Sequence, residues 1–317
     1  MEKILITGAA GFIGYHLVKK IINMDYKVIL LDNFSRGKKD IFFNDVIKHK
    51  NIKFINQDLT KSFKINDPNI KYIFHLAAKI GVKNVIKKPK ETINENLLML
   101  INILNSLNKN INKKTKIIFF STSEIYSPLI DNKSISFPIR EDVDLIIKNK
   151  TSPRDSYFIS KLVGEKIIEL SGFDHVNLRP HNIYGPRMGY SHVIPELIEK
   201  FITKNKKVEI FSPSHKRAFC YIDDAINQIT SLAFNKKIIN GSYNIGNSEE
   251  EIKIYDLAKK ISKLLNIKKK FIKCKNTPGS PVRRVPHMSK TFKLVKKSKL
   301  INLDKGLRRY IEWRSKV

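Results

Sequence analysis

Tyr157 and Lys161 stand four residues apart in Asp155-Ser156-Tyr157-Phe158-Ile159-Ser160-Lys161, a spacing that puts both side chains on one face of a helix. A lysine ammonium beside a tyrosine favours the phenolate and draws the phenol pKa down from about 10. Such a tyrosine can take the proton of a substrate hydroxyl. The spacing says little alone in a chain with 49 lysines, and it recurs at Tyr15/Lys19 and Tyr255/Lys259. Position separates the three. Only Tyr157 follows Ser121-Thr122-Ser123-Glu124-Ile125-Tyr126, where an apolar strand ends in hydroxyls and one carboxylate. Thr122 is expected to hold the substrate oxygen and share its proton, and Glu124 offers a further base.

Removing that proton is productive if a hydride acceptor lies beside the same carbon, and the start of the chain provides for one. Thr7-Gly8-Ala9-Ala10-Gly11-Phe12-Ile13-Gly14 follows the apolar run Ile4-Leu5-Ile6 and leads into an amphipathic stretch. That order reads strand, glycine turn, helix. Glycines at 8, 11 and 14 permit the tight turn and close approach of backbone to a pyrophosphate, with the N–H groups of the helix start facing the phosphates. The next strand, Lys27 to Leu31, ends at Asp32, 18 residues past Gly14. A carboxylate there accepts from the adenosine ribose hydroxyls and repels a 2′-phosphate, which favours NAD over NADP; Arg36 and Lys38 just beyond weaken that preference. The expected chemistry is hydride transfer to NAD from the carbon whose hydroxyl Tyr157 deprotonates.

Short apolar runs alternate with helical patterns through the first 180 residues. Strands are expected at 3–7, 27–32, 52–56, 72–75, 116–121 and 175–179, and helices at 12–23, 91–108 and 155–171. Continuous apolar strands separated by helices make a parallel sheet covered on both faces. The expected class is therefore α/β, a doubly wound parallel-sheet Rossmann fold with a smaller C-terminal substrate-binding lobe. Residues 1–180 form the NAD-binding domain, which also receives the helix at 221–234, and 181–317 form mainly the substrate-binding lobe. Further helices are expected at 193–203, 254–265 and 304–313, and the polar segment 131–153 reads as a mobile loop.

Composition narrows the alternatives. The net charge is +31, from 49 Lys and 11 Arg, but the lysines are spread along the whole chain. Nucleic-acid sites concentrate Arg and Lys with aromatics on one face, so no nucleic-acid partner is expected; general attraction of anionic substrates is. No apolar run approaches the ~20 residues that span a bilayer. Cys220 and Cys274 give neither a disulfide framework nor a metal spacing, and the eight histidines converge on no metal pattern, so no metal is expected. Met1-Glu2-Lys3 runs straight into the first strand, and the expected location is cytoplasmic.

Taken together, the motifs resemble the extended short-chain dehydrogenase/reductases that act as NAD-dependent nucleotide-sugar epimerases, dehydratases and decarboxylases. The resemblance spans essentially the whole chain. It includes the glycine turn, Asp32 to Gly37, Gln57-Asp58-Leu59, His75-Leu76-Ala77-Ala78 and the Tyr157/Lys161 pair. It continues with Arg179 to Arg187, Arg217 to Asp224 and Asn244-Ile245-Gly246-Asn247. It implies a cofactor set of Gly8, Gly11, Phe12, Ile13, Gly14, Asp32, Asn33, Asp58, Leu59, Ala77, Ala78, Tyr157 and Lys161, with Asp58 and Leu59 on adenine. It implies a nucleoside-diphosphate sugar held by Asn182, Arg187, Arg217 and one of Arg283 and Arg284, of which Arg284 is preferred. Guanidinium suits a diphosphate because it pairs through two parallel hydrogen bonds. The resemblance also implies a homodimer formed through the 91–108 helix and the Tyr157 helix.

The expected activity passes through a 4-keto sugar, made by Tyr157 with Thr122 and Lys161. Epimerisation needs nothing more. Losing water from C6 needs a base for the C5 proton, and Glu124 stands where dehydratases of the family carry one. The Ser-Thr-Ser-Glu-x-Tyr form looks like both GDP-mannose 4,6-dehydratases and UDP-glucuronate decarboxylases. The residues around Tyr157 look like the broader epimerase group instead. Ser127, His287 and Tyr15 depart from the usual glycine, aspartate and small polar residue at their positions. The rival readings are a non-catalytic NAD-binding protein and a basic RNA- or membrane-surface binder, the second of which requires steeply salt-dependent affinity.

Overall fold

The computed structural model describes residues 1–316 except 66, 68, 108–114 and 296–298. The expected helix end at Asn108 lies outside the described residues. Six strands, β1 (Lys3–Thr7), β2 (Lys27–Asp32), β3 (Ile52–Asn56), β4 (Ile70–His75), β5 (Lys116–Phe120) and β6 (Asp174–Pro180), pair in parallel in the order β6-β5-β4-β1-β2-β3. A seventh strand, β7 (Ser242–Ile245), adds at the β6 edge. This is the Rossmann order, with its switch point between β1 and β4, where the strands' carboxyl ends open a crevice for a dinucleotide.

Both sheet faces are covered, as continuous apolar strands require. On β4, Ile73 packs with Met99 and Ile103 of the Pro89–Ser106 helix, in a cluster that also takes Leu5, Ile29, Leu31 and Leu59. Its neighbours Tyr72 and Phe74 point the other way, to the ring of Phe234 at the end of the Ile222–Phe234 helix. Leu100 of the first helix meets Ile168 of the Asp155–Glu169 helix over Ile117 and Phe119 of β5.

The compact units do not follow one boundary at residue 180. The first comprises Met1–Ile125, Ile147–Arg179 and Gln228–Tyr243; the second comprises Tyr126–Ile146, Pro180–Asn227 and Asn244–Val317. The return of 228–243 has a physical cause in Lys116. Its buried ammonium donates to the carbonyls of Leu232, Ala233 and Asn235, at 3.4, 3.1 and 3.1 Å. A cation there satisfies the open carbonyls at a helix C-terminus and fits its dipole. Burial, opposed by Asp174, brings the ammonium's pKa down to about 8.

The 131–153 segment is not a free loop. Ile139 is fully buried, its N–H donates to the Val285 carbonyl, and its own carbonyl accepts from His287 N–H and Asn244 Nδ2. Glu141 accepts the Asn244 N–H at 2.9 Å. Its polar composition hid one buried apolar anchor. Among the described residues no His/Cys/Asp/Glu cluster is placed to hold a metal ion, and no helix is long and apolar enough to cross a membrane.

Lys116→Met removes the donor to three helix-end carbonyls. It is expected to destabilise the protein by about 2–3 kcal/mol in urea unfolding, whereas an unchanged midpoint would show that the contact contributes nothing.

Candidate active site

The glycine turn closes on itself and on β4. Gly8, with φ of +66°, donates to the Leu31 carbonyl, and a Cβ on it would meet Ala77 N at 2.8 Å. A Cβ on Gly14 would meet the Gly8 carbonyl oxygen at 2.3 Å, so no side chain fits between helix and strand there. Phe12 and Ile13 open the helix that follows, whose first turn has no side-chain cap. The Ala77 N–H donates to Thr7 Oγ1, which lies 3.0 Å from His75 Nδ1. These contacts fasten the ends of β1 and β4 together at the switch point.

Asp32 accepts from Ala10 N–H at 2.9 Å and from Phe34 N–H at 2.7 Å, one bond on each oxygen. Burial raises its pKa against those backbone bonds. A carboxylate has about four acceptor sites, and the Asn33 backbone adds a third bond to these two, so capacity remains for a ribose hydroxyl. Asn33 turns its side-chain oxygen to Ser35 N–H, and Asp58 is held by the Thr60 hydroxyl and N–H. The side-chain hydrogen bond from Thr60 lowers the Asp58 pKa. The Leu59 side chain packs in the sheet core, and its carbonyl accepts from Asn102.

The Asp155–Glu169 helix carries the reactive pair over the end of β5. Tyr157 and Lys161 are both buried, and the Lys161 ammonium sits 4.8 Å from the centre of the Phe119 ring. The His75 ring stacks with Phe119 as well. Burial, with Lys161 adding to it, drives the His75 pKa to about 3, so that imidazole is neutral. One turn beyond Lys161, Glu165 is bound bidentately by Arg179, at 3.0 and 2.7 Å. Among the described residues Lys161 therefore has no ion-pair partner, and burial, partly offset by Glu165, lowers its pKa to about 7.

Tyr157 is hydrogen-bonded to the Thr122 side chain. Its ionisation differs from the sequence expectation. Burial first and Glu124 second push the phenol pKa up, while Arg36 and Thr122 pull it down. Lys161 is not among the groups that set it. The expectation weighed the cation but not the burial, which penalises a phenolate and an ammonium alike. Thr122 Oγ1 also accepts the Glu124 N–H at 3.2 Å, and Glu124 lies 3.8 Å from Arg154.

Three residues in this unit had no assigned role in the sequence reading, and a fourth, Arg36, was read only for its effect on the NAD preference. Asn96 binds both ends of Lys79's peptide unit, N–H and carbonyl, and donates to Ser160, whose hydroxyl bonds the Tyr157 carbonyl. It thereby links the β4 loop to the Tyr157 helix. A polar residue amid the apolar positions of the 91–108 pattern was the signal for it. Arg36 and Arg154, near Tyr157 and Glu124, carried no signal for this site in their spacing, and Ser160 completes the set.

The remaining predicted residues belong to the second unit. A three-stranded sheet pairs Lys216–Ala218 with Glu251–Lys253 and with Arg283–Arg284, placing Arg284 beside Arg217 and Arg283 beside Lys216. Alternation sends Arg217 and Arg284 to one face. Arg283 lies on the other and is bound bidentately by Glu251, both bonds at 2.8 Å. Arg217 is buried and held by the Ser280 hydroxyl and the carbonyls of Lys216 and Pro281. Arg187 is buried too, with φ of +66°, and Asn182, with φ of +39°, donates to the Ala218 carbonyl.

Residues 4–246 match the NAD dependent epimerase/dehydratase family. The chain is 30% identical to the UDP-N-acetyl-alpha-D-glucosaminuronate decarboxylase of Bacillus cytotoxicus, over 98% of this chain and 97% of that one. Among solved structures it is similar to UDP-glucuronic acid 4-epimerase from Bacillus cereus, with TM-score 0.82, 27% identity and 99% of each chain covered. It is also similar to UDP-N-acetylglucosamine 4-epimerase from Methanobrevibacter ruminantium, with TM-score 0.84, 26% identity, and 99% and 98% covered. The protein belongs to the NAD-dependent epimerase/dehydratase family, and its cofactor is NAD. The residues present fit that cofactor: a glycine cradle that a Cβ would fill, spare acceptor capacity on Asp32, and a buried ammonium with no ion-pair partner among the described residues.

The Lys161 ammonium makes stability depend on pH. Between about 7 and the ordinary lysine value the unfolded chain holds more protons, so stability rises with pH across that window. The expected outcome, read as melting temperature in cofactor-free protein, is that Lys161→Met is the more stable variant at pH 6 to 7. The gap to wild type should narrow towards pH 10; parallel curves would contradict the assignment.

Proposed function

We propose that the enzyme oxidises C4 of a nucleoside-diphosphate sugar and that Glu124 then works on the 4-keto intermediate, which makes the enzyme a lyase. The observation that carries this reading is the placement of a carboxylate close enough to Tyr157 to raise its pKa, at the strand end that also provides Thr122. A site for C4 chemistry alone has no use for that charge, which opposes the phenolate.

Tyr157 takes the C4 hydroxyl proton, with Thr122 sharing the hydrogen bond and orienting the oxygen. Bound NAD supplies the acceptor for the C4 hydride and returns it later. Lys161 binds the nicotinamide ribose and adds positive charge at the base of the site. Once C4 is a ketone, the C5 hydrogen is acidic. With a C6 hydroxyl, Glu124 takes the C5 proton, the electron pair forms a C5–C6 double bond, and water departs with that proton. With a C6 carboxylate, the C5–C6 bond breaks, carbon dioxide leaves, and the enolate so formed takes up at C5 a proton relayed from solvent through Glu124. Asn182, Arg187, Arg217 and Arg284 hold the nucleotide sugar. Arg284 is chosen over Arg283 because Glu251 already binds Arg283.

A plain 4-epimerase is the second reading, favoured by the similarity to two 4-epimerases of known structure. We also propose a cytoplasmic homodimer built on the Pro89–Ser106 and Asp155–Glu169 helices. Leu98 and Ile101, one turn apart on the first, are exposed apolar side chains, and both cysteines are free, as a reducing compartment allows. Sedimentation as a monomer would overturn the dimer.

Mass spectrometry of the NAD-loaded enzyme with a panel of nucleoside-diphosphate sugars decides the reaction. Loss of water or carbon dioxide from one substrate is expected, and an isomer of unchanged mass would establish the epimerase instead. Tyr157→Phe should cut turnover by about 10²–10⁴-fold. Glu124→Gln should leave the 4-keto step and stop loss of water, or, with a C6 carboxylate, slow delivery of the solvent proton to C5 after carbon dioxide has left.

A further inference from the structure

We infer that Arg154 is the group that recognises the C6 substituent of the sugar, and that the substrate is a nucleoside-diphosphate sugar bearing a C6 carboxylate. The inference rests on the sugar chemistry proposed above and adds to it the substrate class.

Arg154 takes right-handed helical geometry at the start of the Asp155–Glu169 helix. It precedes Tyr157 by three residues and Lys161 by seven, so the three side chains follow one stripe of the helix. They divide the length of the site among them. Lys161 lies over Phe119 beneath the strand end, on the cofactor side. Tyr157 is bonded to Thr122, where the C4 oxygen sits. Arg154 begins about 4.5 Å further along the axis, at 1.5 Å per residue, away from the cofactor. Two carbon–carbon bonds separate C4 from C6, so a C6 substituent falls beside Arg154.

Glu124 fixes the direction. As the group that carries the proton at C5 it marks where C5 lies, and its carboxylate is 3.8 Å from the Arg154 guanidinium. Both side chains are largely covered, with 24% and 16% of their area exposed. A neutral hydroxymethyl group placed there would meet the Glu124 charge and gain little from Arg154. A carboxylate needs a cation at that point to offset repulsion by Glu124, and a planar guanidinium can bridge the two carboxylates.

The test measures equilibrium binding to the NAD-loaded enzyme of two ligands that differ at C6, UDP-glucuronate and UDP-glucose. Wild type should bind the glucuronate at least about tenfold more tightly. Arg154→Gln should abolish that preference while leaving UDP-glucose affinity within about twofold, and Arg154→Lys should restore part of it. Wild type that binds UDP-glucuronate no better than UDP-glucose overturns the inference, as do equal losses for both ligands in Arg154→Gln. Binding is read without turnover. An enzyme that binds as described and converts no sugar would therefore sink the proposed function and leave the C6 assignment standing.

Discussion

Burying the Lys161 ammonium with no ion-pair partner among the described residues is the constraint around which the rest of the first unit is arranged. An unpaired buried cation is costly, and a protein relieves the cost by neutralising it or by supplying a partner. The obvious partner, Glu165 one turn along the helix, is bound by Arg179 instead. Phe119 offers only its ring face, and His75 beyond it is kept neutral by its own burial. The ammonium is left for the cofactor and the reacting oxygen. Its neighbours hold the helix that carries it: Asn96 through Ser160, Arg179 through Glu165, and the Leu100–Ile168 packing over β5.

The same burial explains why Tyr157 is not a ready base. Dry surroundings and the Glu124 charge both favour the neutral phenol, and Arg36 and Thr122 offset them only in part. Positive charge arriving with the cofactor acts in the same sense as Arg36. On the proposed role for Tyr157, bound NAD would therefore help its phenol ionise.

Much of this was legible in the sequence, for local reasons. The glycine turn is readable because only glycine fits where a Cβ would meet backbone at 2.3 to 2.8 Å. The strands were legible as continuous apolar runs because both sheet faces are covered. Tyr157 could be told from Tyr15 and Tyr255 by what precedes it. What escaped depends on contacts between distant segments. Ile139 ties residues 131–146 into the second unit through Val285, His287 and Asn244. Lys116 ties the end of the Ile222–Phe234 helix to β5 across more than a hundred residues, which no single boundary at 180 accommodates. The pairing of Arg283 with Glu251, which separates it from Arg284, follows from strand register and side-chain alternation.

The central claim is that chemistry at C5 follows oxidation at C4, with Glu124 as its proton carrier. The most direct measurement is turnover in deuterium oxide, with the hydrogen at C5 of the product read by NMR. Loss of water strips that hydrogen and refills C5 from solvent, and loss of carbon dioxide adds a solvent hydrogen beside it, so deuterium at C5 is the expected result. Product with no deuterium at C5 would confine the chemistry to C4 and contradict the account.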